Sequence, residues 1–214
     1  MQKNILILGS GGLASECYQY LQEVLQNDSS LVFKGFLSPT NTLHSYNLEH
    51  HYLGKEDDYT FADNDYAIIA IADPKIKQQI FIKLKKHNIK LFNLISPRAF
   101  ITESPSLQIG EGNIIAPFCT IGLNVQIGDC NLLNSSSSIS HDCSIGNFNT
   151  ISSGCILNGS AKIKDLNFMG TFSTLLPNAS LESNCQVSAG SIIFKKFKSN
   201  VLLFGNPAKI IGEV

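Results

Sequence analysis

A histidine and an aspartate stand side by side in a stretch of small polar residues, "LNSSSSISHDCSIG". They are His141 and Asp142, and His141 is the only histidine from Ser96 to the C-terminus. An imidazole titrates near neutral pH and can take a proton from an amine or hydroxyl that attacks a carbonyl. A nearby carboxylate can fix its tautomer and stabilise the imidazolium. The pair therefore predicts general-base chemistry if the backbone bends the two side chains together, because neighbours on a flat strand point to opposite faces.

Two other roles for His141 were weighed against general-base catalysis. Zinc chemistry of the carbonic anhydrase type needs three imidazoles around the metal, and one histidine per chain in this region cannot supply them. We therefore expect no metal. The other alternative is a surface histidine whose hydrogen bonds are satisfied and which takes part in no reaction.

The element that must position His141 is a six-residue repeat. Fifteen positions in steps of six, from Ile109 to Ile193, are all aliphatic or methionine, and Glu103 and Ser199 interrupt the series on either side. A second series, four residues after each of these positions, is mostly small. A period of six fits neither a helix nor a hairpin and predicts a parallel β-helix of five 18-residue coils, roughly 24 Å long at about 4.8 Å per coil.

The repeat places His141 two residues after the inward-facing Ile139, at or near a corner and facing outward. A solid prism has no internal pocket, so an outward catalytic histidine needs a second surface to form a cleft. Three prisms packed around an axis would supply that surface, and we expect a homotrimer with active sites between subunits.

Six cysteines are present without a C-x-x-C pair. Four of them fall on the small inward positions of the repeat, where a free cysteine behaves as a small buried hydrophobe: Cys119, Cys143, Cys155 and Cys185. We therefore expect reduced, structural thiols.

The first 95 residues alternate between predicted strands and helices. The strands are "NILIL", "LVFKGFL", "DYAIIAIAD" and "IKLFNLI", and the helices are "LASECYQYLQEVLQ" and "PKIKQQIFIKLKKHN". This alternation predicts a small parallel α/β domain.

A glycine turn follows the first strand, with the pattern G-x-G-x-x-A from Gly9 to Ala14. Such a turn brings backbone amides and a helix N-terminus toward a phosphate. The second strand ends at Ser38 without the acid that a ribose hydroxyl would need, which disfavours NAD and leaves a nucleotide diphosphate open. A tight turn that binds nothing is the alternative.

Composition narrows the class of protein. The formal net charge of −1 argues against a nucleic-acid partner. No apolar run is long enough for a membrane span, and the short apolar start leads into the glycine turn rather than a signal-peptide cleavage site. These features predict a cytoplasmic protein.

Several segments together resemble the sugar-nucleotide N-acetyltransferases of the left-handed β-helix superfamily, the group of bacillosamine-pathway, perosamine and sialic-acid acetyltransferases. The segments are "GSGG", "LISPRAFI", "LLNSSSSISHDCSIGNF", "SSGCILNGSAKI" and "LLFGNPAKII". The resemblance implies a Rossmann-like α/β domain that binds the nucleotide sugar (1–95), an all-β left-handed parallel β-helix (96–198) and a tail that lines the CoA site (199–214).

The resemblance also implies roles for individual residues. His141 matches the family's catalytic base and Asp142 its acidic partner. The remaining positions are those expected to bind the acceptor, namely Gly9, Ser10, Gly11, Gly12, Leu13, Asp73 and Asn134, and those expected at the acetyl-CoA site, namely Thr150, Gly159, Gly205, Asn206, Pro207 and Lys209. The backbone N–H of Gly159, 18 residues after His141, is expected to meet the thioester carbonyl. A solvated surface lysine is the alternative for Lys209.

The chain departs from the family pattern in three places. Leu13 stands where the glycine turn usually continues with histidine, Thr150 replaces a second family histidine, and Ser38 replaces an acid. These changes affect the choice of acceptor and acyl group but not the base.

The expected reaction is direct transfer of an acetyl group from acetyl-CoA to the amine of a nucleotide-linked deoxy-amino sugar, with His141 as general base. Two alternatives remain open: a sialic-acid-type O-acetyltransferase, and a trimeric nucleotide-sugar-binding protein without activity.

Overall fold

The computed structural model describes residues 2–214, and its N-terminal part is a five-stranded parallel sheet with two helices. The elements, in chain order, are β1 (Lys3–Leu8), α1 (Gly12–Leu25), β2 (Leu31–Leu37), β3 (Tyr52–Gly54), β4 (Asp65–Ile69), α2 (Pro74–Lys86) and β5 (Lys90–Leu91), with short 3-10 helices at Leu43–Tyr46 and Glu49–His51. The strand order is β3-β2-β1-β4-β5. The predicted parallel α/β arrangement is confirmed, and β3 is a strand that the sequence pattern did not reveal.

The central strand β1 is buried on both faces, as its continuous apolar run predicts. Ile5 and Ile7 pack into one apolar cluster with α1, whereas Leu6 and Leu8 pack into another with α2. Neither helix has the length and hydrophobicity that a membrane span requires.

The rest of the described chain forms a parallel β-helix of very short strands. They are β6 (Leu94–Ile95), β7 (Phe100–Ile101), β8 (Gln108–Ile109), β9 (Ile114–Ile115), β10 (Thr120–Ile121), β11 (Gln126–Ile127), β12 (Leu132–Leu133), β13 (Ser138–Ile139), β14 (Ser144–Ile145), β15 (Thr150–Ile151), β16 (Ile156–Leu157), β17 (Lys162–Ile163), β18 (Phe168–Met169), β19 (Thr174–Leu175), β20 (Ser180–Leu181), β21 (Gln186–Val187), β22 (Ile192–Ile193), β23 (Lys196–Phe197), β24 (Val201–Gly205) and β25 (Ala208–Glu213).

These strands make the three faces of a prism. Sheet 1 contains β6, β9, β12, β15, β18, β21, β24 and β25; sheet 2 contains β7, β10, β13, β16, β19 and β22; sheet 3 contains β8, β11, β14, β17, β20 and β23. Residues 18 apart pair in parallel, so that Ile139 lies between Ile121 and Leu157. The predicted hexapeptide β-helix is thus confirmed.

Both predicted side-chain series point inward. Leu157 and Leu175 of the aliphatic series have no exposed surface, and Asn149 and Cys155 of the small series have none either. Full burial of one aliphatic side chain contributes about 1.5–3 kcal/mol, which makes the stacked series the main source of the prism's stability. The buried asparagines also support the stack, because the Asn131 side-chain oxygen accepts a hydrogen bond from the Asn149 N–H at 2.9 Å.

The predicted limits of the array are wrong. Strand β6 pairs with β9 although Ile95 precedes Ile115 by 20 residues, and β23 pairs with β20 although Phe197 follows Leu181 by 16. Sheets 2 and 3 therefore contain six strands each rather than five. The predicted strand "IKLFNLI" is split for the same reason: β5 joins the α/β sheet, whereas β6 joins the β-helix.

The α/β domain packs on sheet 1. Outward side chains of this sheet, Ile114 and Leu132, belong to the same apolar cluster as β1 and α1. On the α2 side, the Phe81 ring packs edge-on against Phe148, with 5.1 Å between the ring centroids. Sheet 1 is opposite the corner between sheets 2 and 3, and that corner carries His141.

Candidate active site at a corner of the β-helix

The predicted pair is formed. His141 follows β13 in the corner between sheets 2 and 3, and its Nδ1 lies 2.7 Å from Oδ2 of Asp142. Asp142 has a φ of +61°, in the left-handed region, and this turn of the backbone brings the two neighbouring side chains to the same side. The carboxylate's hydrogen bond with His141 contributes most to holding the pKa of Asp142 below its usual value.

Asn124 is a third member of this group, and the sequence reasoning did not find it. Its side-chain amide donates a hydrogen bond to Oδ1 of Asp142 at 2.6 Å. The signal that could have found it is the 18-residue spacing, which places Asn124 directly one coil before Asp142.

Gly159 lies against the imidazole, as its position one coil after His141 predicts. A Cβ built on Gly159 would be 2.8 Å from both Cε1 and Nε2 of His141, so a glycine leaves room for the ring where a larger residue would displace it. Within residues 2–214 the Gly159 N–H has no backbone acceptor. The nitrogen of His141 that is not bonded to Asp142 therefore lies beside a free backbone donor.

The same column of corner positions continues to Lys195, three coils after His141 and about 14 Å away at about 4.8 Å per coil. Lys195 borders a cavity of about 310 Å³ together with Pro207 and Lys209 from the tail. Its ammonium group lies 5.3 Å from the centroid of the Phe194 ring. The sequence reasoning named the tail but not Lys195.

The tail residues predicted at the acetyl-CoA site form the turn between β24 and β25. Gly205 has a φ of +110° and donates its N–H to the Ser191 hydroxyl at 3.1 Å. Asn206, Pro207 and Lys209 are exposed on this turn and on the start of β25. The structure thus brings Pro207 and Lys209, but not Asn134 or the glycine turn, toward the His141 column.

The glycine turn lies at the carboxyl edge of the α/β sheet, between β1 and α1. Gly9 has a φ of +126°, and a Cβ there would come within 2.9 Å of the Ala70 carbonyl oxygen, so the position requires glycine. Gly11 and Gly12 are exposed and border a cavity of about 350 Å³ that Tyr46 closes on one side. This edge lies where the strand order reverses between β1 and β4, the usual place of ligands in such sheets.

Two predicted acceptor residues in the turn have their side chains engaged within the protein. The buried Ser10 hydroxyl donates to the Thr40 carbonyl at 2.6 Å and lies 3.2 Å from the Ser38 hydroxyl. The half-buried Leu13 packs against the apolar cluster of the α/β domain. The direct side-chain contacts predicted for Ser10 and Leu13 are therefore not available in this arrangement, although the backbone of the turn remains accessible at Gly11 and Gly12.

Asp73 and Asn134 also have local structural partners. One oxygen of Asp73, Oδ1, caps α2 by accepting hydrogen bonds from the N–H groups of Lys75 and Ile76, each at 2.9 Å, and its other oxygen is free for a ligand. The side chain of Asn134 accepts the Ser135 N–H at 2.8 Å and is half-buried at the corner between sheets 1 and 2, one strand before His141.

Thr150 does not reach the His141 corner, and its predicted contact with the donor is wrong for the arrangement seen here. Its hydroxyl is buried where the α/β domain packs on sheet 1. There it donates to the Ala72 carbonyl at 2.5 Å and accepts from Lys77 Nζ at 3.1 Å. The sequence could not reveal this contact because Ala72 and Lys77 lie more than 70 residues away in the chain.

The thiols are unsuited to nucleophilic catalysis. The four cysteines predicted on inward positions are buried, and so are Cys17 and Cys130. Burial raises the pKa of Cys119 to about 11 and that of Cys130 to about 12, which keeps both thiols protonated at neutral pH. Within residues 2–214 no group of three or more metal-ligating side chains is found.

The three faces of the prism differ in polarity. Sheet 1 is covered by the α/β domain, and the outward positions of sheet 3 are polar, as at Gln126, Ser144 and Lys162. Sheet 2 and the corner between it and sheet 1 expose large apolar side chains, with 39% of Ile156 and 71% of Phe172 accessible. An exposed apolar face of this kind marks an interaction surface.

Comparison with known proteins gives one relative in sequence and several in structure. No protein-family model matches the chain. The GDP-perosamine N-acetyltransferase of Escherichia coli O157:H7 is 30% identical over 146 residues, which cover 65% of this chain and 54% of the relative. The match therefore spans about half the length of that relative.

Solved structures match over almost the whole chain. The acetyltransferase domain of PglB from Neisseria gonorrhoeae FA1090 superimposes with a TM-score of 0.85 and 20% identity, covering 98% of this chain and 100% of that domain. PerB from Caulobacter crescentus, in complex with CoA and GDP-perosamine, gives a TM-score of 0.83 and 23% identity, with 98% and 97% covered. WeeI from Acinetobacter baumannii AYE gives 0.83 and 24%, with 98% and 100% covered.

The chain has the fold of these acetyltransferases. The resemblance to sugar-nucleotide N-acetyltransferases that the sequence motifs predicted is confirmed by one relative in sequence and by these neighbours in fold.

Proposed function

We propose that this protein is an acetyl-CoA-dependent N-acetyltransferase that acts on the amine of a nucleotide-linked deoxy-amino sugar. The observation that carries the proposal is the geometry at the corner between sheets 2 and 3. His141 has one ring nitrogen held by Asp142 at 2.7 Å, and its other ring nitrogen lies beside Gly159. The similarity to a GDP-perosamine N-acetyltransferase supports the same reaction class.

In the proposed reaction, bound acetyl-CoA supplies the thioester that the sugar amine attacks. Asp142 accepts the Nδ1–H of His141, which leaves the lone pair on Nε2 to take the proton that the amine releases. The Gly159 N–H donates a hydrogen bond to the carbonyl oxygen as negative charge develops on it. A C–N bond forms, the C–S bond breaks, and the CoA thiolate leaves with a proton.

Residues along the prism fit the length and charge of the proposed donor. The column from His141 to Lys195 would hold the pantetheine arm along the corner. Lys195 and Lys209 border one cavity at the far end, where two ammonium groups would bind the CoA phosphates. Gly205, Asn206 and Pro207 would shape that end of the groove.

The α/β domain would hold the nucleotide sugar. We assign it as a Rossmann-like domain (1–95) that binds the diphosphate at Gly11 and Gly12, with the free oxygen of Asp73 facing the acceptor. The β-helix, proposed to be left-handed, would comprise residues 96–198, and the tail 199–214. We place the reaction in the cytoplasm, with the six buried thiols reduced.

Within one chain the α/β domain and His141 lie on opposite sides of the prism. A homotrimer would remove this separation, because the His141 corner of one subunit can face the α/β domain and Asn134 of its neighbour. The exposed apolar face on sheet 2 supports such packing.

Light scattering tests the trimer. We expect a mass of about three times the 23.4 kDa of the chain. Ile156→Glu, on the apolar face, should give monomers without activity, whereas Gln126→Glu on sheet 3 should stay trimeric. A monomeric wild-type protein with full activity would refute the proposed assembly.

The reaction is tested by CoA release from acetyl-CoA in the presence of UDP-, GDP- and dTDP-linked 4-amino sugars. We expect one acceptor to drive release, and His141→Ala to lower kcat at least a hundredfold, since a general base contributes about 10²–10⁴. His87→Ala removes an exposed histidine on another part of the surface and should leave kcat unchanged. An amide product resists hydroxylamine; a labile product would instead indicate an O-acetyl ester. Binding of CoA and sugar without turnover would indicate a protein that binds but does not catalyse.

A further inference from the structure

The carboxylate of Asp142 is held at both oxygens. Oδ2 faces Nδ1 of His141 at 2.7 Å, and Oδ1 accepts a hydrogen bond from the side-chain amide of Asn124 at 2.6 Å. A carboxylate on a flexible, exposed side chain could otherwise rotate away from the imidazole. With both oxygens engaged, only one orientation of the carboxylate satisfies both partners.

The coil register produces this arrangement. Asn124 and Asp142 occupy the left-handed position of the same corner in successive coils, with φ of +56° and +61°. The Asp142 N–H donates to the Leu123 carbonyl at 3.0 Å, which fixes the two corners against each other. The side chains of Asn124 and Asp142 therefore leave the backbone in parallel, one coil apart.

We propose that Asn124 is a positioning residue, which orients Asp142 so that the neutral imidazole of His141 carries its proton on Nδ1 and presents Nε2 to the substrate. This inference rests on the proposed function for its catalytic consequence. The geometric part stands on its own, because the tautomer of His141 can be observed without substrate.

The chemistry of an amide suits this role. An asparagine side chain donates through nitrogen without changing the net charge beside the base. Its hydrogen bond also favours the ionised form of Asp142 and, after the bond from His141, helps to keep the pKa of that carboxyl low. Asn124 does not touch the imidazole, and it acts only through Asp142.

Substitution by glycine provides a clean test. The left-handed position of another corner is occupied by Gly154 and Gly190, both with φ of +69°, so glycine is compatible with this backbone. Asn184 offers a matched control: it has a φ of +59° and its amide donates to Asn200 at 2.6 Å, at a corner that lacks His141. Asn124→Gly and Asn184→Gly remove the same group from the same kind of turn.

The experiment compares these two variants in steady-state kinetics and in long-range ¹H–¹⁵N spectra of the histidine rings, with His141→Asn used to assign the signal. We expect Asn124→Gly to lower kcat about tenfold, less than the roughly 10⁴ lost when the carboxylate of a catalytic triad is neutralised. The KM values should stay within twofold, the acid limb of the kcat profile should move to higher pH, and the Nδ1–H tautomer of His141 should lose population. Asn184→Gly should change none of these quantities.

The inference is overturned if Asn124→Gly keeps the wild-type kcat and tautomer, or if both glycine variants lose activity equally. If the wild-type protein transfers no acetyl group, the proposed function fails, and the tautomer populations in the two variants still decide the role of Asn124.

Discussion

Gly159→Ala tests whether the position of the His141 ring controls the reaction. A Cβ at residue 159 would lie 2.8 Å from Cε1 and Nε2 of the ring. Non-bonded carbon atoms settle at about 3.5–4.0 Å, so the imidazole must move by about 0.7–1.2 Å. The His141 side chain is 67% exposed and can move outward without loss of packing. A misplacement of about 1 Å costs about 10²-fold in rate, and we expect that loss in kcat with an unchanged melting temperature.

The assay is CoA release with the acceptor that the wild-type protein uses, measured for Gly159→Ala, His141→Ala and the double variant. Alanine keeps the N–H at residue 159, so a loss of kcat cannot come from a missing donor. If the effect acts through the ring, the second substitution adds little once His141 is gone. The reasoning is refuted if Gly159→Ala retains the wild-type kcat, or if it lowers kcat by the same factor in the His141→Ala background.

Two further predictions concern stability. Burial lowers the pKa of Lys77 from 10.5 to about 7, so the unfolded chain binds more protons above pH 7 and this lysine makes the free energy of unfolding rise between about pH 7 and 10.5. In Lys77→Met that rise should be absent, as urea unfolding at pH 7.0 and 8.5 will test; an equal slope in both proteins would contradict the assignment. Leu157→Ala removes a fully buried member of the aliphatic series and should cost about 2–5 kcal/mol, whereas Gln126→Ala on the outer surface should cost less than about 0.5 kcal/mol in the same urea titration. Similar losses for the two would mean that the series does not carry the stability of the prism.

Much of the site is a consequence of the 18-residue coil. Once the repeat is recognised, the spacing alone places Gly159 next to His141, and the structure agrees. The same arithmetic reaches Asn124 and Lys195, which the sequence reasoning passed over because it followed family motifs rather than the column. Where contacts follow the repeat, they are predictable from residue numbers.

Contacts between the two domains were not predictable in this way. Thr150 was expected near the donor, yet its hydroxyl is buried against Ala72 and Lys77. Asp73 was expected to face the acceptor, and one of its oxygens is used to cap α2. Both outcomes depend on how the α/β domain packs on sheet 1, and no periodicity in either segment specifies that packing.

The sequence by itself determined the β-helix, its inward residues and the parallel α/β domain, because a period of six and buried apolar runs leave few folds that can bury those side chains. The tertiary structure alone decided that the neighbouring side chains of His141 and Asp142 meet, since this depends on a left-handed φ at Asp142. It also decided where the array ends, because strands β6 and β23 join with steps of 20 and 16 residues that break the period. Local periodicity fixes which residues stack, whereas turn conformation and irregular steps depend on contacts with neighbouring coils.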